Sequence, residues 1–555
     1  MTLSAGKPET RCRVTDGMIA LRPSNVARSE VMRILPTLAT AFALAALLSS
    51  CGGGGDAGPA PAPAPAPAPG PVVTGPAWWG FGRDAQHSAI GAVATQNLDR
   101  IRWSAPLDLA PQYRANGALL IHYGSPVVTT SNTVIVPVKT GAAGGFRYDA
   151  YSGANGAPIW SLSSGYLLPP HNWVPSVNPA LTRTNRLYVP EAGGRLAWRD
   201  DPDASGNAMQ SAVFYGAGAY AAAPTSYDTQ VYINTPLTTD AAGNVYFGFV
   251  VSGATPAGLK SGIARIGADG SGRWVGAADA AADAGIAKVA TNSAPALSPD
   301  GRTLYVAVNV APVTGVIQRG ALLALDSTTL ATQAVAALND PAAGGRARLS
   351  DDGTASPTVG PDGDVFFGVL EGVFGAHNAR GWLLHFDATL TTLKTPGSFG
   401  WDDTASIVPA SMVPSYTGSS SYLLATKYNN YDGVGTGDGA NRVAILDPNA
   451  AQADTISLQP VMQEVLSILG PTFESGASGP VKEWCINTAA VDPLTFSVLV
   501  NSEDGYLYRW DLRSNTFTQR IQLTSGIAES YTPTAVGADG AVYAVNNAVI
   551  FSIGH

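Results

Sequence analysis

The 555-residue chain holds three cysteines, and two of them, Cys12 and Cys51, fall within the first 51 residues. A body that keeps Cys485 alone has no pair for an internal disulfide, so its stability must rest on burial and on closure of its sheets. Charge is scarce as well: 13% of residues are charged, 41 acidic against 32 basic. That acidic excess, with no basic stripe, excludes nucleic acid and anionic surfaces as partners. The six histidines (His87, His122, His171, His377, His385 and His555) never pair at metal-ligand spacing, so no metal site is expected. "DGVGTGDGAN" (432 to 441) lacks the ligand alternation and final Glu of a calcium loop and reads as a hairpin loop. There is no Cys-x-x-Cys-His for covalent haem, no nucleophile elbow and no phosphate-binding glycine loop. What the chain does have is 62 glycines and 40 prolines, a composition that suits an all-β body with many turns.

The amino-terminal part reads as an address. "MRILPTLATAFALAALLSSC" (32 to 51) runs from a Met and an Arg through an apolar stretch, about Leu38 to Leu48, to small residues and a cysteine. This is a secretory signal, too short to span a bilayer. Its ending, Leu48, Ser49, Ser50, Cys51, resembles the lipobox of bacterial lipoproteins, which implies cleavage before Cys51 and lipidation of that cysteine. Residues 1 to 31 are long, polar and of mixed charge, and they read as a mis-called start or an extended n-region ahead of a signal at 32 to 50. The stretch removed carries six basic and three acidic residues, so the remainder is more acidic than the formal −9 of the whole chain. From 51 to 76 a Gly-rich run and a Pro-Ala repeat follow, a semi-stiff spacer of roughly 50 to 70 Å at about 3.1 Å per residue. Gly52 stands where lipoproteins kept in the inner membrane usually carry Asp, so the resemblance implies an outer-membrane lipoprotein held through Cys51.

Beyond residue 77 the chain repeats itself. A short strand that begins with a small or polar residue and a proline is followed, after a turn, by a strand rich in Val, Tyr and Phe. The pair begins at Ser125, Asn178, Thr235, Ala294, Ser356, Val413, Asn487 and Thr532, at intervals that average about 58 residues. Turns such as "DAAGN", "SPDGR", "GPDGD" and "GADGA" place Asp and Gly where tight hairpins need positive φ. Third strands recur as apolar runs that end in Asp: "ALLALDS", "WLLHFDA", "RVAILDP", "YLYRWDL". Four short strands per unit predict an all-β, eight-bladed β-propeller of antiparallel blades over 77 to 555, with seven blades as the alternative. The last unit stops one strand short at His555, so "RIRWSAPLDL" (100 to 109) is expected to supply its outer strand and close the ring.

"FRYDAYSGANGAPIW" (146 to 160) and "WWGFGRDAQHS" (78 to 88) resemble the repeats and leader of pyrroloquinoline-quinone-type propellers. That superfamily includes quinone-dependent dehydrogenases and cofactor-free scaffold lipoproteins of the β-barrel assembly machinery. The dehydrogenases typically use a ring-stacking Trp, a Ca²⁺ ion, a catalytic Asp and often a vicinal disulfide. Here there is no Cys-Cys pair, and the Asp-x-x-Thr-Gly-x-x-x-Trp signature is broken: Asp149, Ser152 and Gly153 match but Trp160 falls three residues late. No cofactor is expected, with quinone and Ca²⁺ left open.

In a propeller the segments just before the inner strands converge on one mouth of the central channel. Here they carry Trp173, Trp401 and Trp484 with Arg114, His171, Asp351, Asp352, Asp402, Asp403, Lys482 and Tyr531. Flat apolar rings among a few polar groups suit a sugar or a peptide segment. Capping of the blade cores by the same rings is the competing reading. Cys485 is expected to be a free, buried, unreactive thiol; catalysis, if present, would fall to Glu483, Glu529 and His171. The expected role is that of a monomeric, lipid-anchored binding or scaffolding module for an envelope protein or a glycan. A polysaccharide lyase or hydrolase is the alternative, and a quinone-dependent dehydrogenase the third reading.

Overall fold

A computed structural model describes residues 78–112, 123–169, 177–206, 208–310, 319–350, 355–526 and 530–555. All of these fall in one compact unit. Cys51, the tether and the signal lie outside the described residues, as do Arg114, His171, Trp173, Asp351, Asp352 and Glu529. Among the described residues no helix is long and apolar enough to cross a membrane.

The strands form eight antiparallel sheets in chain order, the blades of a propeller. In blade 1, Val127–Val128, Thr133–Gly141, Gly144–Ser152 and Pro158–Ser164 run from the inner to the outer strand. Second strands are buried on both faces, as in Val365–Val369 and Ser497–Asn501. They lie between neighbouring blades and therefore read as unbroken apolar runs. Outer strands such as Thr516–Gln522 face water and contain no buried residue. The residue before the inner-strand proline is small, and polar in most blades, because it ties one blade to the next. Ser125 N–H donates to Asn178 Oδ1 at 2.6 Å, Ala294 N–H to Ser356 Oγ at 2.9 Å and Ser356 N–H to Thr404 Oγ1 at 2.9 Å. The proline itself opens the inner strand, where the missing N–H is tolerated.

Ring closure falls where the repeat predicts it. Arg100–Pro106 pairs antiparallel with Val549–Gly554 as the outer strand of blade 8, so the first and last parts of the body share one sheet. Buried Lys139 in blade 1 locks this strand in place: its ammonium donates to both oxygens of Asp108 at 2.9 Å and to Ala110 O at 3.0 Å.

Two blades depart from the expected pattern. The inner strand of blade 6 is Ser406–Pro409, not the "VPSY" run from Val413, and Ala405 stands in the usual proline position. Residues 410–412 instead form a short 3-10 turn that leads to Tyr422–Tyr428. Blade 5 has three regular strands, Thr358–Val359, Val365–Val369 and Trp382–Phe386. Its outer edge is covered irregularly by residues 393–397, through bridges Phe386–Leu393 and Leu383–Gly397. The long outer hairpin of blade 6, Arg442–Ala453 and Pro460–Leu469, reaches over this edge: Met462 N–H donates to Pro396 O at 2.8 Å, and Val461 sits in the core of blades 4 and 5. Asp454 at the hairpin turn fastens it, accepting from Ser398 Oγ at 2.5 Å and from His377 Nε2 at 3.2 Å. These bonds, with those from Ser457, outweigh the desolvation that burial imposes and hold the Asp454 carboxyl well below the usual carboxylate range.

The leader, residues 78–91, circles the axis beneath the carboxyl ends of the inner strands. Val128 donates to Trp78 O, Leu181 to Trp79 O, Leu297 to Ala85 O, Val359 to Gln86 O, Ile407 to Ser88 O and Val491 to Ala89 O, all between 2.7 and 3.0 Å. Six blades are thus bonded in sequence to one strip of backbone. Phe81, Arg83 and His87 are buried within the collar, His87 meeting Phe81 edge-on at 5.2 Å and Pro357 O through Nδ1 at 2.7 Å. Gly82 has φ +57°, and a Cβ there would lie 2.8 Å from the His87 Cβ, so the turn demands glycine.

Candidate functional site

Because the leader occupies the mouth at the carboxyl ends of the inner strands, the opposite mouth, where those strands begin, is the one left to side chains. Its best-defined part spans blades 6 to 8. Residues 399–404 lead into the inner strand of blade 6, 482–489 into that of blade 7 and 530–534 into that of blade 8. The far ends of the second strands, at Thr426, Lys427 and Asn501, rise to the same level.

Buried Lys427 forms an ion pair with Asp402, and Thr426 Oγ1 donates to Asp403 Oδ2. Burial raises Asp402 above the usual carboxylate range against the pull of Lys427. Burial likewise pushes Asp403 up to about 7, Lys427 and Thr426 opposing and Asp402 reinforcing. Asn487 spans the junction: its Nδ2 donates to Asp402 O at 2.9 Å and to Tyr531 Oη at 2.8 Å, and its backbone N–H to Tyr531 O at 3.0 Å. Asn429 clamps the backbone of Trp484, accepting from its N–H and donating to its carbonyl, both at 3.1 Å. Glu503 Oε1 accepts from Glu483 N–H at 3.1 Å. The gap beside Asp403, Lys427 and Ile486 measures about 10 Å³, the room of a single water.

The structure therefore brings together Asp402, Asp403, Glu483, Trp484 and Tyr531 among the expected residues. The rings of Trp401 and Trp484 cap blade cores, as the competing reading had it. Trp484 is 1% exposed against Tyr508 and Phe517, and Trp401 is buried with Phe399 and Tyr431. Lys482 turns to Glu474 at 2.9 Å. Cys485 is buried but disulfide-bonded, which corrects the expectation of a free thiol; the other two cysteines lie outside the described residues. Lys427, Thr426, Asn429, Asn487 and Glu503 were not among the expected residues. All but Asn487 lie at or just past the ends of second strands, in "ATKYNN" and "VNSED", and polar residues closing an apolar strand were the signal that marked them.

The resemblance to quinone-dependent enzymes makes a quinone and a divalent cation the groups to fit at this mouth. The described residues do not fit them. The carboxylate pair is already served by the Lys427 ammonium, and neither Trp401 nor Trp484 offers a ring face on which a planar cofactor would stack.

No protein-family profile and no curated protein matches the chain in sequence. In fold it is similar to a europium-containing methanol dehydrogenase (TM-score 0.52, 9% identity, 84% of this chain and 89% of that one). It is also similar to a quinohemoprotein alcohol dehydrogenase from Comamonas testosteroni (TM-score 0.52, 12% identity, 86% and 81%). BamB from Moraxella catarrhalis matches at a TM-score of 0.38 with 12% identity, over 83% of this chain and all of that one. The likeness is one of fold, an eight-bladed β-propeller.

Proposed function

We propose that this propeller is an envelope protein that binds or scaffolds, and that it takes an envelope protein or a glycan at the mouth where the inner strands begin. One observation carries the reading: the leader fills the opposite mouth with backbone hydrogen bonds, which leaves a single axial face built from side chains. Fold alone does not choose a function, so the test is one of place. A photo-crosslinking residue at Asp432, on the exposed loop beside this mouth, is compared with one at Arg302, on an exposed turn of the leader face, in the protein within its own envelope. Adducts with one protein or glycan from position 432 and none from 302 support the reading. Equal yields at both positions sink it.

A polysaccharide lyase or hydrolase is the second reading, and Asp403 is what favours it. A buried carboxyl that titrates near 7 is suited to hold or deliver a proton at neutral pH. Under that reading the captured glycan is shortened by the native protein and stays at full length with Asp403→Asn.

A further inference from the structure

We propose that the leader face carries a second binding site, a cavity of about 130 Å³ that takes a small zwitterion of the free α-amino acid class. It lies where the leader leaves the ring: between Trp79 and Ala85 the chain turns inward and bonds no inner strand of blade 3, which opens a space against the turns of blades 2, 3 and 4.

One wall offers unused donors. The guanidinium groups of Arg83 and Arg183 both lie over the Trp79 ring, each 4.9 Å from its centroid. Arg83 lies 3.5 Å from Asp84, whereas exposed Arg183 has no carboxylate partner among the described residues. Trp79 is 5% exposed, and its indole N–H is buried with no hydrogen-bond partner among them. A planar fork and an orphaned N–H about one ring match a carboxylate.

The other wall offers unused acceptors. Asp240 is consumed by its own turn, taking the N–H groups of Ala242 and Asn244, the Asn244 amide and the Tyr246 hydroxyl. Asp300 Oδ1 takes Ser298 Oγ and the Arg302 N–H, but its Oδ2 lies 3.9 Å from the nearest cation, Arg302. Gln86 donates through Nε2 to Leu297 O and Ser298 O, which leaves its Oε1 for a ligand. These oxygens match an ammonium group.

Charge and size narrow the class further. A lone anion would face Asp84, Asp240 and Asp300, and a lone cation would face Arg183; a molecule with both ends meets each wall with its complement. A cavity of about 150 Å³ holds the six carbons of benzene. This one suits glycine, alanine or serine.

The test is calorimetric titration of the whole mature protein with glycine, alanine and serine, alongside acetate and methylammonium. Saturable binding of the amino acids is expected, with neither single-ended probe competing. Arg183→Gln and Asp300→Asn, both on exposed turns and both expected to melt like the parent, should each weaken binding about tenfold or more, the loss of one charge-assisted bond. Acetate binding as tightly as alanine, variants that bind as the parent does, or no heat with any amino acid into the millimolar range overturns the proposal. Because the cavity and the side-chain mouth lie on opposite faces, neither result bears on the other site.

Discussion

The two mouths of the ring are closed by different chemistry. On the leader face, backbone carbonyls take backbone N–H groups from six blades, an arrangement that asks little of side chains beyond a few turns with positive φ. On the opposite face the closure is made by side chains: Lys427 with Asp402, Thr426 with Asp403, Asn487 with Tyr531, and Lys139 with Asp108. Backbone closure leaves few groups to titrate, whereas side-chain closure leaves buried carboxyls whose proton affinities have moved. The difference teaches where chemistry can reside in a fold whose blades are otherwise much alike.

The comparison breaks most severely if the leader is removed. A chain that begins after Gly91 loses the backbone hydrogen bonds that tie the leader to six blades, at about 1 kcal/mol each, and the burial of Trp78, about 3–5 kcal/mol more. Against a total stability of about 5–15 kcal/mol, cooperative unfolding in urea should disappear. An unchanged midpoint would show that the collar is ornamental. Next in size, Lys139→Met or Lys427→Met strands a buried carboxylate and should cost about 3–5 kcal/mol, read from the same titration, while the double change Lys139→Met with Asp108→Leu should recover most of it. If both single changes were neutral, the ionic account of the side-chain mouth would fall.

The two faces should also differ in the sign of their pH dependence. Burial lowers His87 to about 4 from its ordinary 6.5, outweighing the Pro357 carbonyl and Asp84. The unfolded chain therefore takes up that proton first. The stability it contributes is complete above about pH 6.5 and is lost towards pH 4, by about 3 kcal/mol. Asp403 runs the other way: its folded value is raised to about 7, so its contribution is present below the ordinary carboxylate range and is lost as pH rises towards 7. Urea midpoints between pH 4 and 8 should show His87→Gln flattening the acid limb and Asp403→Asn the neutral one. Parallel behaviour of the two variants would erase the distinction.

Much of the fold was legible because it rests on periodic patterns. The prolines at 126, 179, 236, 295, 357 and 533 mark true inner strands, and the unit cut short at His555 announced its closure by residues 100 to 109. Pro414 misled because "SIVPASMVPSY" holds two candidates five residues apart, and the strand is the one that ends in Pro409. The missing outer strand of blade 5 was hidden for a different reason: its cover comes from another blade, fastened by Asp454 at a distance no local pattern encodes. The leader carried no signal of its role, since its bonds are made by backbone atoms. At the side-chain mouth the position of Asp402 and Asp403 followed from topology. Lys427 was missed because it sits at the end of a second strand, a place that a search of the inner-strand approaches does not reach.

The collar has a consequence for how the molecule is made. Residues 78–95 leave the ribosome before any blade exists, yet Ser88, Ala89 and Thr95 bond to Ile407, Val491 and Asp492, the last pair 397 positions apart. Contacts so remote in sequence exact a large loop-closure entropy before they reward the chain, and they form late. This early segment must wait, unsatisfied, for blades 6 and 7 to arrive, and its locking is a late step of assembly.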